Sequence, residues 1–436
     1  MGDQILSSLT NFAVTLVAAR TLSVDDFGAF ALVFAGYLLA LGLSRAIATD
    51  ALSVRFSSVP AAEWREATSR AAGAAIWVST VLATLAIGSG VALSGSLRAG
   101  FWILALFLPG LLMQDFWRFA FFAAGRPVRA AANDLVWAAV LAVAFAVLIL
   151  NDMYEVGWFV AAWGAAATAA ACVGVVQARV IPELNQARRW LSENRALLPS
   201  FAGEFVVMNG VSQSVVFGIG AVAGLGAAGA FRGATVVFGP VSVITMSAVA
   251  IAVPEGARLR ARRPHLLHRA MVTMSALIAS SALIWGLSVW LLLPDSLGSA
   301  MLGETWEGAR AVLPAIMAYL VVVGIGAGAV TGLRVIERPW LSLRVRVFLA
   351  PATVGTALLG GWADGARGAV FAMVIPMGIA AVVWWILFRT AIGAEAREPA
   401  ATKNAAATQH PSQKGRTQSC IAESTRSSTK PRGQAS

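Results

Sequence analysis

Cut at its charges, the chain falls into about twelve apolar stretches, and that property restricts it to a bundle of membrane-crossing helices. Ala71–Leu97 is uncharged, as are Gly157–Ala178, Phe205–Phe231, Gly233–Val253, Ala270–Leu293, Ala311–Leu333 and Gly368–Phe388. A helix of about 20 residues spans roughly 30 Å of hydrocarbon, so each run is long enough to cross. The pattern predicts helices near residues 4–20, 27–48, 71–95, 99–124, 131–150, 157–179, 201–224, 227–253, 270–293, 309–333, 342–361 and 367–389. The fold class is therefore all-α and polytopic.

The loops between these runs sort by charge. One set holds Arg55, Arg65, Arg70, Arg126, Arg129, Arg188, Arg189 and Arg195, the cluster Arg258–Arg269, and Arg334, Arg338, Arg344 and Arg346. The opposite set holds only Arg20, Arg98, Arg310 and Arg367, beside Asp25, Asp26, Asp152, Asp295, Glu304 and Asp364. With the tail included, 27 of the 33 Lys and Arg residues fall on the first side. By the positive-inside rule this predicts a multi-pass protein of the cell membrane with both termini in the cytoplasm.

A chain that is 58% hydrophobic and 13% charged is not an ordinary soluble domain. Its net charge of +11 would suit a nucleic-acid partner, but the charge sits in short loops, where orientation signals belong. No nucleic-acid partner is expected, and membrane lipids are. Cys172 lies in a span and Cys420 in the polar tail. His265, His268 and His410 have no ligand-like spacing, so neither metal nor cofactor is expected.

Short segments recur at corresponding places. Gly2-Asp3 returns as Gly203-Glu204 and Gly28-Ala29-Phe30 as Gly229-Ala230-Phe231, both 201 residues on; Arg126-Pro127 returns as Arg338-Pro339, 212 residues on. Six spans per half is an even number, so both halves insert alike and are related by an axis along the membrane normal. The expected organisation is a six-helix bundle over 1–180, a linker over 181–200, a second bundle over 201–393 and a disordered tail over 394–436.

The first fifty residues carry more. Asp3-Gln4, Ser7 to Phe12, Ala18-Ala19-Arg20, Asp26-Phe27-Gly28 and Leu41 to Arg45 resemble the polysaccharide-export flippases of the multidrug/oligosaccharidyl-lipid/polysaccharide exporter superfamily. The pattern from Arg20 to Gly28 is the most specific part. The resemblance implies two six-helix bundles in an inverted V and a lipid-linked oligosaccharide as substrate, commonly on undecaprenyl diphosphate. Polymerases or glycosyltransferases of the same route would be its partners.

Charges within spans face cavities, partners or interfaces. Arg118 follows Asp115 by three positions on one face of the fourth span, which suits either a self-contained ion pair or a cavity cation for a diphosphate. Arg232, within the eighth span, has no acidic neighbour in sequence. Arg45, near Asp50, reads as an anchor that doubles as a substrate contact. Asp3 and Glu204, at equivalent starts of spans one and seven, are helix-capping acids or candidates for coupling to a proton or cation. Related multidrug exporters place such a carboxylate within span one, where this chain has only Asp3 at the edge. Asp25 and Asp26 are expected to shape the turn before span two. Pro109, Pro240, Pro351 and Pro376 are candidate kinks, and Trp102, Trp158, Trp163, Trp384 and Trp385 are belt or packing residues.

The expected function is transport of a lipid-linked oligosaccharide for surface polysaccharide synthesis. The alternatives are a multidrug exporter of the same superfamily and a membrane-embedded polymerase or ligase. An enzyme would need a large polar outer loop; 294–310 offers only Asp295, Glu304, Glu307 and Arg310. No enzymatic activity is expected.

Overall fold

In hydrocarbon every backbone polar group must bond internally, which an apolar chain achieves most simply as helix. The computed structural model describes the backbone of residues 2–57 and 59–408, and the side chains of residues 12–394 apart from Ser58, Glu204 and Met208. The chain divides into two compact units, Met1–Trp384 and Trp385–Ser436, and every contact described below lies in the first.

The first half contains α1 (Gly2–Thr21), α2 (Val24–Ser44), α3 (Asp50–Arg55), α4 (Ala61–Val91), α5 (Gly95–Ala123), α6 (Pro127–Leu150) and α7 (Val156–Ala178). A π-helical turn at Arg45–Thr49 joins α2 to α3 without breaking the axis. After the short α8 (Ala187–Asn194) come α9 (Leu198–Phe205) and α10 (Val211–Ala223), joined by a second π-helical turn at Val206–Gly210. Then follow α11 (Leu225–Val237), α12 (Gly239–Arg262), α13 (Pro264–Leu292), the short α14 (Asp295–Leu302), α15 (Thr305–Val335) and α16 (Pro339–Thr408).

Among the described residues nine helical stretches are long and apolar enough to cross a membrane, and shorter apolar pieces lie at Phe12–Thr21, Val211–Ala223 and Leu225–Val237. One of the nine, Pro339–Ala394, turns back at Asp364–Gly365, where Gly365 adopts φ +55°. With Pro339–Ala394 counted as two spans, and Leu225–Val237 joined to Gly239–Arg262 as one span broken at Phe238, the protein is an all-α polytopic membrane protein of about twelve spans in two six-helix repeats.

Local chemistry explains several boundaries. Ser23 caps α2: its hydroxyl accepts from the Asp26 backbone N–H at 3.2 Å and donates to the Asp26 carboxylate at 3.0 Å. Asp26 thus shapes the turn before the second span, as expected. Of the four candidate prolines only Pro240 lies at a helix break, at Phe238 between α11 and α12; α5 runs on through Pro109, and α16 breaks at Asp364–Gly365 rather than at Pro351 or Pro376. The fourth and tenth spans end in the same turn. Gly125 and Glu337 both have positive φ. The next residue's N–H then reaches back five positions, Arg126 to the Phe121 carbonyl and Arg338 to that of Leu333, each at 2.8 Å. A proline at the first helical position follows in both cases.

The linker is folded against the first half. Trp190 of α8 is fully buried, and its indole N–H donates to the Ile47 carbonyl at 3.0 Å. Arg55 donates to the Asn194 side-chain oxygen at 2.9 Å, and Arg70 pairs with Glu193 at 3.2 Å. The tail expected to be disordered from residue 394 begins as helix and stays helical to Thr408. Residues 409–436 lie outside the described part. Trp163 and Trp384 are packing residues, 1% and 2% exposed, whereas Trp102 and Trp158 are exposed.

Candidate functional site

Three of the singled-out charges meet at one end of the first half. The π-helical turn directs Arg45 of the second span onto Asp115 of α5. Its guanidinium forms two parallel bonds, Nε to Oδ2 at 2.7 Å and Nη2 to Oδ1 at 2.6 Å. This fork-to-carboxylate geometry is the strong form of an ion pair. Arg118, one turn along α5, lies 3.7 Å from the same carboxylate and 3.9 Å from Asp134 of α6. Gln114 donates to Asp134 at 2.7 Å. Both guanidinium groups stand over the Phe119 ring, Arg45 at 4.7 Å and Arg118 at 5.3 Å from its centroid.

Two arginines and two aspartates make this cluster neutral overall. The self-contained Asp115–Arg118 pair is therefore superseded: the closest partner of Asp115 is Arg45, 70 positions earlier. Asp115 is buried, with 5% of its side chain exposed, whereas Arg45 keeps 32%. Asp134 and Gln114 are the members that sequence reasoning missed. The signal for Asp134 is present, since a carboxylate inside a span is itself informative.

Arg232 stands elsewhere. It projects from α11 towards the first half, where it donates to the Thr15 hydroxyl at 3.3 Å and stacks over Phe34 at 4.4 Å. Its Nε is buried without a hydrogen-bond acceptor. No described carboxylate lies within ion-pair distance of it, and neither Arg118 nor Arg45 joins it. Aromatic rings continue the surface beneath: Phe34 packs on Trp163 at 5.5 Å, and Tyr37 meets Trp163 edge-on at 4.6 Å. The side chains of Asp3 and Glu204 lie outside the described residues.

The second half holds a partly open cavity of about 250 Å³ lined by α10, α11, α12, α15 and both arms of α16. Its walls are mostly apolar, and among the described residues Arg346 is the one charged side chain on them. The charge pattern alone groups Arg346 with loop residues, yet it sits seven residues inside α16.

Neither a protein-family model nor a curated protein matches the sequence. Solved structures do match in fold. The chain overlays an inward-facing multidrug-resistance MATE-family transporter of the MOP superfamily with a TM-score of 0.67 and 15% identity, over 89% of this chain and 95% of that one. The inward closed conformation of the lipid II flippase MurJ gives a TM-score of 0.69 and 10% identity, over 89% and 86%. An outward-facing MATE-family transporter overlays less well, at 0.53 with 16% identity, over 90% and 93%. Helix order, the two-repeat layout and these overlays together establish that the chain has the fold of the MOP-superfamily transporters.

Proposed function

We propose that the protein flips a lipid-linked oligosaccharide, carried on a polyprenyl diphosphate, from the cytoplasmic to the outer leaflet of the cell membrane, with both termini cytoplasmic. The observation that carries this reading is Arg232: a cation at the junction of the two halves, with a buried N–H and no described carboxylate beside it. An uncompensated cation in an apolar interior is costly, and an anionic head that reaches it removes the cost. Guanidinium holds phosphate oxygens bidentately, which suits a diphosphate.

In this reading the neutral cluster acts by exchange. Arg45 is partly exposed, and Arg118 stays near Asp115. A phosphate can therefore replace Asp115 on Arg45 while Arg118 keeps the aspartate paired. The head then passes to Arg232, and reorientation of the halves presents it to the other side. Asp3 and Glu204 remain the coupling candidates, and a polysaccharide polymerase or glycosyltransferases are the expected partners.

The overlay on MATE-family transporters supports a second reading, export of drugs. An exporter of organic cations would need an uncompensated carboxylate inside. Of the described carboxylates within the spans, Asp115 is held bidentately by Arg45, and Asp134 accepts from Gln114 with Arg118 close by, so the first reading fits the described charges better. Vesicles reconstituted with the protein would be given a fluorescent polyprenyl-diphosphate disaccharide and, separately, ethidium. Movement of the first without the second is expected; movement of ethidium alone would replace this function with drug export.

A further inference from the structure

Arg346 stands inside a helix with no ion-pair partner among the described residues. It lies about 10 Å along α16 from Pro339, at 1.5 Å per residue. It lines the second-half cavity among Thr235, Tyr319, Thr353 and the apolar Met373 and Leu320. Its described contact is with the face of Trp384, 5.0 Å from guanidinium to ring centroid. That ring is itself fixed, because its N–H donates to the Ser342 carbonyl one turn before Arg346, at 3.3 Å. A stacked ring presents one face of the guanidinium and leaves the N–H fork free. No ion pair or hydrogen bond occupies the fork among the described residues.

A membrane-embedded cation without a counter-charge raises the free energy of the empty state, so a ligand that supplies the charge is bound selectively. The Tyr319 hydroxyl on the same walls offers a further donor, whereas the Thr235 and Thr353 hydroxyls already donate to the Arg232 and Leu349 carbonyls at 2.7 and 2.9 Å, and the rest of the surface is mostly apolar. We infer that this cavity is an anion-binding pocket in which Arg346 holds a phosphate group and the apolar walls receive a chain attached to it. The phosphate arrives either as the head of an amphiphile or as the free ion. The inference stands on the cavity and not on the flipping activity, and equilibrium binding tests it separately.

Full-length protein in detergent would be titrated with farnesyl phosphate, farnesol and inorganic phosphate, and binding read by thermophoresis. Farnesyl phosphate is expected to bind at least about tenfold more tightly than farnesol, and Arg346→Gln to abolish that advantage while Arg346→Lys keeps part of it. If inorganic phosphate displaces farnesyl phosphate at similar concentrations, the pocket takes the free ion; if it does not, the amphiphile is the ligand. Either result supports Arg346 as the anion contact. Equal binding of farnesol and farnesyl phosphate, or an Arg346→Gln variant that binds as the wild type does, overturns it. A diazirine derivative of farnesyl phosphate adds a test that needs no variant. Crosslinks on the wild type at Tyr319, Met373 or Met377 are expected, and crosslinks confined to the first half contradict the assignment.

Discussion

Gly28 and Gly229, equivalent residues of the two repeats, pack against each other where α2 meets α11. A Cβ on Gly229 would lie 3.1 Å from the Gly28 nitrogen, and one on Gly28 would lie 1.9 Å from the Leu225 carbonyl oxygen. The tripeptide that recurs in sequence is thus the seam between the halves. Only a residue without a side chain allows the two backbones so close.

Gly28→Val should therefore open the seam rather than unfold either half. Overpacking of this kind costs about 1–3 kcal/mol, a shift of roughly 5- to 150-fold between two conformations. Spin labels at the exposed Arg20 and Val222 would report it by pulsed electron resonance. The variant is expected to lengthen the distance, and an unchanged distribution would show that the seam tolerates a side chain.

The Arg45–Asp115 pair makes a second prediction. Arg45→Gln removes both short bonds to a buried carboxylate and is expected to destabilise the protein by about 3 kcal/mol. Adding Asp115→Asn should recover part of the loss, because no buried charge is then stranded. Arg118→Gln, at 3.7 Å from the same carboxylate, should cost less than Arg45→Gln. Thermal unfolding of the three variants measures the ranking, and a larger loss for Arg118→Gln would restore the pairing within α5.

Which of these features could be read from the chain follows from how local they are. Span positions, the Ser23–Asp26 cap and the shared turns at Arg126-Pro127 and Arg338-Pro339 depend on neighbours within a few residues, and the sequence shows them. The partner of Asp115 does not: Arg118 is three residues away and Arg45 is 70, and only packing decides that the distant one wins. Arg346 escaped for a different reason. It lies inside the helix expected over 342–361, but sorting the charges by side groups it with the loop arginines beside it.

Topology can be checked at Ser296, an exposed residue of α14. A cysteine there is expected to react with an impermeant maleimide in intact cells, and one at Ser427 is not. The reverse pattern would invert the proposed orientation.

Acid should loosen the α14–α15 connection. The Asp295 carboxyl is held below its usual value by a hydrogen bond from the Trp306 indole at 2.9 Å and by Arg310. A lowered folded-state value means the stabilisation is complete above the ordinary carboxylate range and is lost as pH falls through the folded value. Proteolysis of this connection is expected to rise below about pH 4 in the wild type. In Asp295→Asn it should be raised already at neutral pH and change little on acidification; a wild-type profile independent of pH would remove the role of Asp295.

Arg232 decides the central claim. In vesicles that flip a fluorescent polyprenyl-diphosphate disaccharide, Arg232→Gln is expected to lower the initial rate about 10- to 150-fold, the range for losing a charged hydrogen bond, and Arg232→Lys to retain part of it. Wild-type rates in Arg232→Gln would contradict the account.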